Sequence, residues 1–139
     1  MCARSVLVAL IVAASAWACG ARADQRPPQT TQTVVWRQLG SWSGHGSTQT
    51  ESFTSDTGTL RVRWETRPQA SADTERQLAF RLTAHSAISG RPLQELVDQP
   101  GAGMGYVEQD PHVFYMVVQS SQVDWNFTVE EAIGVSSGF

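Results

Sequence analysis

Between Val113 and Val129 the sequence VFYMVVQSSQVDWNFTV changes its apolar pattern halfway. In the second half, Val123, Trp125, Phe127 and Val129 alternate with Asp124, Asn126 and Thr128. Successive side chains of a strand point to opposite faces, so this alternation predicts one buried face and one wet face. The first half, Val113 to Val118, is apolar on both parities, the pattern of a central strand covered on both sides. Ser120 and Ser121 stand where a hairpin can turn. A two-stranded ribbon is not stable alone in water, so the rest of the chain is expected to cover its apolar face.

Two further segments alternate in the same way. Leu60, Val62 and Trp64 oppose Arg61, Arg63 and Glu65, and Leu78, Phe80, Leu82 and Ala84 oppose Arg81, Thr83 and His85. Upstream, Val34, Trp36, Gly40 and Trp42 share one parity, which predicts an irregular first strand over 33–43, broken by Gly44-His45-Gly46. The Ser- and Thr-rich stretch 47–54 predicts an exposed edge strand. Asp56-Thr57-Gly58, 68–74 and Ser89-Gly90-Arg91-Pro92 read as turns or loops. Leu93 to Val97 fits a short strand or one helical turn, Gly101 to Gly105 is too glycine-rich for regular structure, and 106–109 predicts one more short strand. No stretch carries a helical stripe. The pattern predicts an all-β, two-sheet antiparallel sandwich of jelly-roll or Greek-key-like topology, with about seven to eight strands. It spans 34–134, with Trp64, Phe80, Phe114, Trp125 and Phe127 in its core and 135–139 as a tail.

The first residues belong to a different regime. Arg4, the apolar run Val6 to Ala14, and the Ala-x-Ala patterns at Ala16/Ala18 and Ala21/Ala23 have the build of a secretory signal peptide over 1–23, too short for a membrane span. A flexible leader, 24–33, carries Pro27-Pro28 and no core-forming residue. These features predict a secreted or periplasmic protein. The alternative is a lipoprotein acylated at Cys19 and anchored to the cell envelope, against which stands the bulky Trp17 just upstream.

Without residues 1–23 the chain keeps eight arginines against thirteen acidic residues, a net charge of −5, and has no lysine and no cysteine. An acidic chain with no basic cluster is not built for nucleic acid. Schiff-base chemistry, a phosphate loop that needs lysine, thiolate nucleophiles and cysteine-ligated zinc are excluded with those residues. His45, His85 and His112 stand far apart, in no metal-ligand spacing. No serine lies in a Gly-x-Ser-x-Gly elbow. Glu130 and Glu131 point to opposite faces if the strand continues, and both they and Glu108/Asp110 read as solvated acids. The pattern thus yields no catalytic residue, no metal site and no cofactor. Trp42, between two serines and next to the glycine turn that holds His45, offers an aromatic platform, so Trp42 and His45 are the candidate ligand-binding residues. The parity that Trp42 shares with Trp36 favours a core role for it.

The order of features from Glu51 to Glu131 carries a resemblance. A run ending in Phe53 is followed by the strand LRVRWET, the strand LAFRLTAHSA, a glycine-bearing loop, an aromatic at Tyr106, then HVFYMVV and VDWNFTVEE. This resembles small secreted bacterial sandwich domains of the pre-peptidase C-terminal and CUB-like kind. The resemblance implies a domain without catalytic residues of its own, serving in binding or in support of a neighbour. Many such domains carry an acidic residue in the strand corresponding to 79–84, or a set of acidic calcium ligands; neither has a counterpart here, so no metal site is carried over. The expected function is a non-catalytic extracytoplasmic binding module for a protein or carbohydrate. The alternatives are a small secreted hydrolase and a structural envelope protein. Processing supplies the first test: the intact mass of the exported protein should begin at Asp24 or a nearby alanine junction, whereas a diacylglyceryl mass on Cys19 would place it among the lipoproteins.

Overall fold

Strands form where the apolar alternation runs, and the way they pair is set by the need to close one core between two faces. The computed structural model describes residues 32–70 and 77–136. The signal segment, Cys19, the leader up to residue 31, most of the loop 68–74 and the last three residues of the tail lie outside the described residues. Among the described residues are nine strands and no α-helix. They are β1 (Gln32–His45), β2 (Thr48–Gln49), β3 (Phe53–Ser55), β4 (Thr59–Pro68), β5 (Ala79–Ser86), β6 (Pro92–Val97), β7 (Ala102–Glu108), β8 (His112–Ser121) and β9 (Val123–Ser136). The first and last strands therefore reach into the polar leader at one end and the tail at the other.

The pairing is that of one long antiparallel hairpin rolled up on itself. β1 pairs with β9, β2 and β3 with β8, β4 with β7, and β5 with β6. Alternate pairs go to opposite sheets, giving a first sheet β1-β9-β4-β7 and a second sheet in which β2 and β3 flank β8, followed by β5 and β6. With β2 and β3 counted as one interrupted edge strand, this is the eight-stranded order of a jelly roll.

The stretch with the strongest pattern does not form the hairpin predicted at Ser120-Ser121. β8 continues through Ser121, Gln122 alone makes the link at φ 57°, and β9 begins in the other sheet. Phe114, Met116 and Val118 of β8 and Val123, Trp125, Phe127 and Val129 of β9 are all buried. Crossing the sandwich sets these two apolar rows face to face, whereas a hairpin would leave both on one layer. On the other side of β8, Val113, Tyr115 and Val117 are only half-buried, with His85 stacked on Tyr115 at 5.1 Å.

The edge predicted at 47–54 is real and broken. Between β2 and β3 the Thr50 N–H donates to Met116 O at 2.9 Å, while Thr50 Oγ1 accepts from Met116 N at 2.9 Å. A side-chain oxygen thus replaces a backbone carbonyl in the ladder. The glycine-rich segment 101–105 is not irregular: it enters β7, and Leu93 to Val97 lies within strand β6. Gly103 sits opposite Trp64, and a Cβ there would lie 2.7 Å from the indole; one at Gly105 would lie 3.0 Å from Leu96. The absent side chains are the slot in which Trp64 lies.

β1 carries a bulge between Gln38 and Gly40. The extra residue reverses the face of everything beyond it. Trp36 and Trp42, of equal parity in sequence, therefore lie on opposite sides of the sheet. Trp42 joins the core margin with Leu39, and Trp64 is half-buried toward the opposite edge, β7, rather than central. Phe80, Phe114, Trp125 and Phe127 are buried as expected.

Trp125 is 4% exposed, stacks on Phe127 at 5.6 Å and donates its indole N–H to Gly46 O at 2.9 Å. Truncating such a residue costs about 3–5 kcal/mol, out of a total of about 5–15 kcal/mol for a domain. In a denaturant titration Trp125→Ala should be largely unfolded, while the exposed Asn126→Ala should shift stability by less than about 0.5 kcal/mol. Equal tolerance of the two would refute the register of β9.

Candidate functional site

The registers of β1, β9, β4 and β7 fix which side chains share the outer face of the first sheet. Running from one end to the other, the rows are His45-Asp124-Arg67, Ser43-Asn126-Glu65, Ser41-Thr128-Arg63-Met104 and Gln38-Glu130-Arg61-Tyr106, with Trp36 beside Ala132 at the far end. From Asp124 to Glu130 the face is about 20 Å long at the strand rise of about 3.3 Å per residue. It holds hydroxyls, amides, carboxylates and guanidinium groups along its length and aromatic rings at one end.

That aromatic end is tightly organised. Arg61 Nε donates to Glu130 Oε2 at 2.7 Å, and Arg63 Nη2 donates to Glu130 Oε1 at 2.7 Å. The Arg61 guanidinium lies 4.4 Å from the centroid of Trp36, and Trp36 lies 6.0 Å from Tyr106. Tyr106 and Met104 remain half exposed. One carboxylate thus fixes two arginines, one of which is stacked on an indole. The Arg61 hydrogen bond, opposed by burial and aided by both positive charges, holds the Glu130 carboxyl below its ordinary value. At the other end, an open depression of about 520 Å³ is bounded by Ser43, His45, Arg67, Asp124 and Asn126, with Trp125 beneath. Ser41 and Thr128 share a hydrogen bond at 3.2 Å between the two ends.

The neighbouring carboxylate, Glu131, points into the sandwich and is fully buried. It accepts from Ser55 Oγ at 2.7 Å, from the Asp56 N–H at 2.9 Å and from Arg37, which also reaches Asp56 at 3.1 Å. Burial favours its neutral form, but the bonds from Ser55, Arg37 and Asp56 outweigh burial and the carboxyl is held below its ordinary value. Glu130 and Glu131 do face opposite ways, but they are not solvated acids: each is buried because arginines or backbone donors replace its water. The signal lies in Arg61 and Arg63, on the outward parity of the strand beside Glu130.

The two residues singled out in the sequence lie apart. Trp42 faces inward, half-buried between Phe53 at 5.6 Å and Phe127 at 5.2 Å, with its indole N–H toward Glu51 at 3.2 Å. His45 is exposed on the outer face, opposite Asp124. His112 Nε2 meets Ser86 Oγ at 2.6 Å, a Ser–His contact that the sequence gives no reason to expect. Ser86 is 2% exposed and its oxygen accepts from the N–H groups of Ile88 and Ser89 at 3.2 Å. The hydroxyl is therefore engaged in closing the β5–β6 turn. Among the described residues no three His, Cys, Asp or Glu side chains come together, and no helix is long and apolar enough to cross a membrane. No family model matches the chain, and no curated protein matches it.

The buried carboxylates make the fold sensitive to acid. A folded-state pKa below the ordinary glutamate value of 4.5 means that ionised Glu130 and Glu131 stabilise the fold above that value. The contribution is lost as pH falls through the lowered folded values. Thermal unfolding followed from neutral pH into that range should show Tm dropping for the wild type. Glu131→Gln should start from a lower Tm and fall less steeply; coincident slopes would mean that Glu131 is not coupled to folding.

Proposed function

We propose that this protein is a non-catalytic, extracytoplasmic binding module that holds a polysaccharide along the outer face of its first sheet. The observation that carries this reading is the Trp36–Arg61–Glu130–Arg63 cluster with the half-exposed Tyr106 and Met104 beside it. Sugar rings present apolar C–H faces to aromatic side chains and hydroxyls to polar ones, and this face supplies both in sequence along about 20 Å. Its polar groups are held before any ligand arrives: Glu130 locks the two arginines, and Ser41 and Thr128 lie on paired strands. Preorganisation of this kind lowers the ordering cost of binding. The signal-like residues 1–23 and the resemblance to secreted binding domains support an extracytoplasmic setting.

Retention on insoluble peptidoglycan, cellulose and chitin tests the reading. The wild type should be retained by at least one of them. The double variant Arg63→Ala/Tyr106→Ala should lose at least about tenfold in affinity, with circular dichroism checking that it is folded, since Arg63 also holds the buried Glu130. A wild type retained by none of the three, or a double variant retained as well as the wild type, overturns the proposal.

A further inference from the structure

We infer that two copies of this chain pair antiparallel through the free edge of β1, joining two four-stranded sheets into one. β1 pairs with β9 from Gln32↔Ser136 to His45↔Asp124, but β4 meets β9 only between Glu131 and Val123. Residues 32–36 and 132–136 therefore form a two-stranded ribbon that projects past β4. Val34 is 56% exposed and Val35 46%, and as strand neighbours they point to opposite faces of the ribbon. A ribbon that is apolar on both faces cannot be covered by the single opposing sheet of its own domain. Among the described residues nothing hydrogen-bonds to the other edge of β1.

Sheet edges that must stay single are guarded by lysine, proline, outward charge or bulges. β1 has no lysine and no proline. Its one charged residue before His45, Arg37, is drawn toward Glu131 and Asp56. The guard it does have is the bulge after Gln38, which interrupts the edge and leaves 32–38 as its unbroken N-terminal stretch.

That window is self-complementary, which is what favours a second copy over a foreign strand. With a twofold axis at Val35, Val35 faces its own counterpart, Val34 faces Trp36 on the other side of the sheet, and Thr33 faces Arg37. Apolar residues meet on both faces and no like charges oppose, the arrangement that stabilises antiparallel pairs. An axis at Arg37 would instead set two guanidinium groups against each other.

Sedimentation equilibrium of the full chain, from about 1 to 100 μM, should show a monomer–dimer equilibrium. Val35→Lys and Val35→Glu should each weaken it by at least about tenfold, since each sets like charges across the axis. An equimolar mixture of the two variants should dimerise again. Circular dichroism checks that each variant is folded, and Thr33→Lys, at an exposed position that would face Arg37 of the other copy, serves in place of a variant that is not. A wild type that stays monomeric at the highest concentration, whether because residues before Gln32 cover the edge or for another reason, overturns the inference. So does a dimer indifferent to these substitutions, or a mixture that stays monomeric.

Discussion

The three indoles of the inner layer, Trp42, Trp64 and Trp125, each lie where a neighbouring strand position gives up its side chain. Trp125 lies over Gly44, Trp64 over Gly103, and Trp42 folds across Gly40. Facing sheets are separated by about 10 Å, room for one interdigitated layer of side chains and no more. An indole fits there by lying flat along its own sheet, above a residue with no Cβ. The constraint explains why β1 and β7, the two edges of the first sheet, carry glycines within continuous strands. Trp42 and Trp64 stand partly buried against a centre made mostly of phenylalanine, leucine and valine, which Trp125 joins.

At the end of β9 the apolar row gives way to a carboxylate, and a polar joint replaces packing. Glu131 connects the first sheet to the turn after β3 in the second through Ser55 and Asp56, and to β1 through Arg37. The same Ser55 hydroxyl accepts from the Gly58 N–H at 2.9 Å, so one oxygen both closes the turn and binds the buried acid. A carboxylate out of water is tolerated only when its oxygens are fully engaged. Here the requirement fixes the position of a turn relative to a strand far away in sequence. Glu130, next along the strand, meets the same requirement on the outer face with two arginines.

The alternating segments 60–64, 78–84 and 123–129 were enough to read the fold class, because alternation states directly which side of a strand is wet. Partners are another matter. Alternation at Val123–Val129 is the same whether β9 turns back on β8 or crosses to the opposite sheet, and the short link suggested the wrong choice. The glycines of β7 read as irregular because the ring they accommodate, Trp64, belongs to another strand. The outer-face cluster is hidden in the sequence for a related reason. The equal parity of Trp36 and Trp42 in the sequence implies one face for both, and nothing in the residues around Leu39 announces the bulge that separates them. The ionic partners of Glu131 lie in β1 and after β3, and only the closed sandwich brings them together.

The roll of paired strands has a consequence for how the chain acquires its structure. Only β5 and β6 are joined as a local hairpin; every other pairing brings together segments distant in sequence, and the widest separation belongs to β1 and β9. β9 also lies between β1 and β4, so until it is present the first sheet has no centre. Topologies dominated by distant pairings fold slowly, since loop closure precedes any gain from contact. A chain emerging from its N-terminus can therefore seed the β5–β6 hairpin early but cannot complete the sandwich until its last strand is free. Up to that point the two faces of the core have no common closure, and the apolar rows of the earlier strands stay open to other chains.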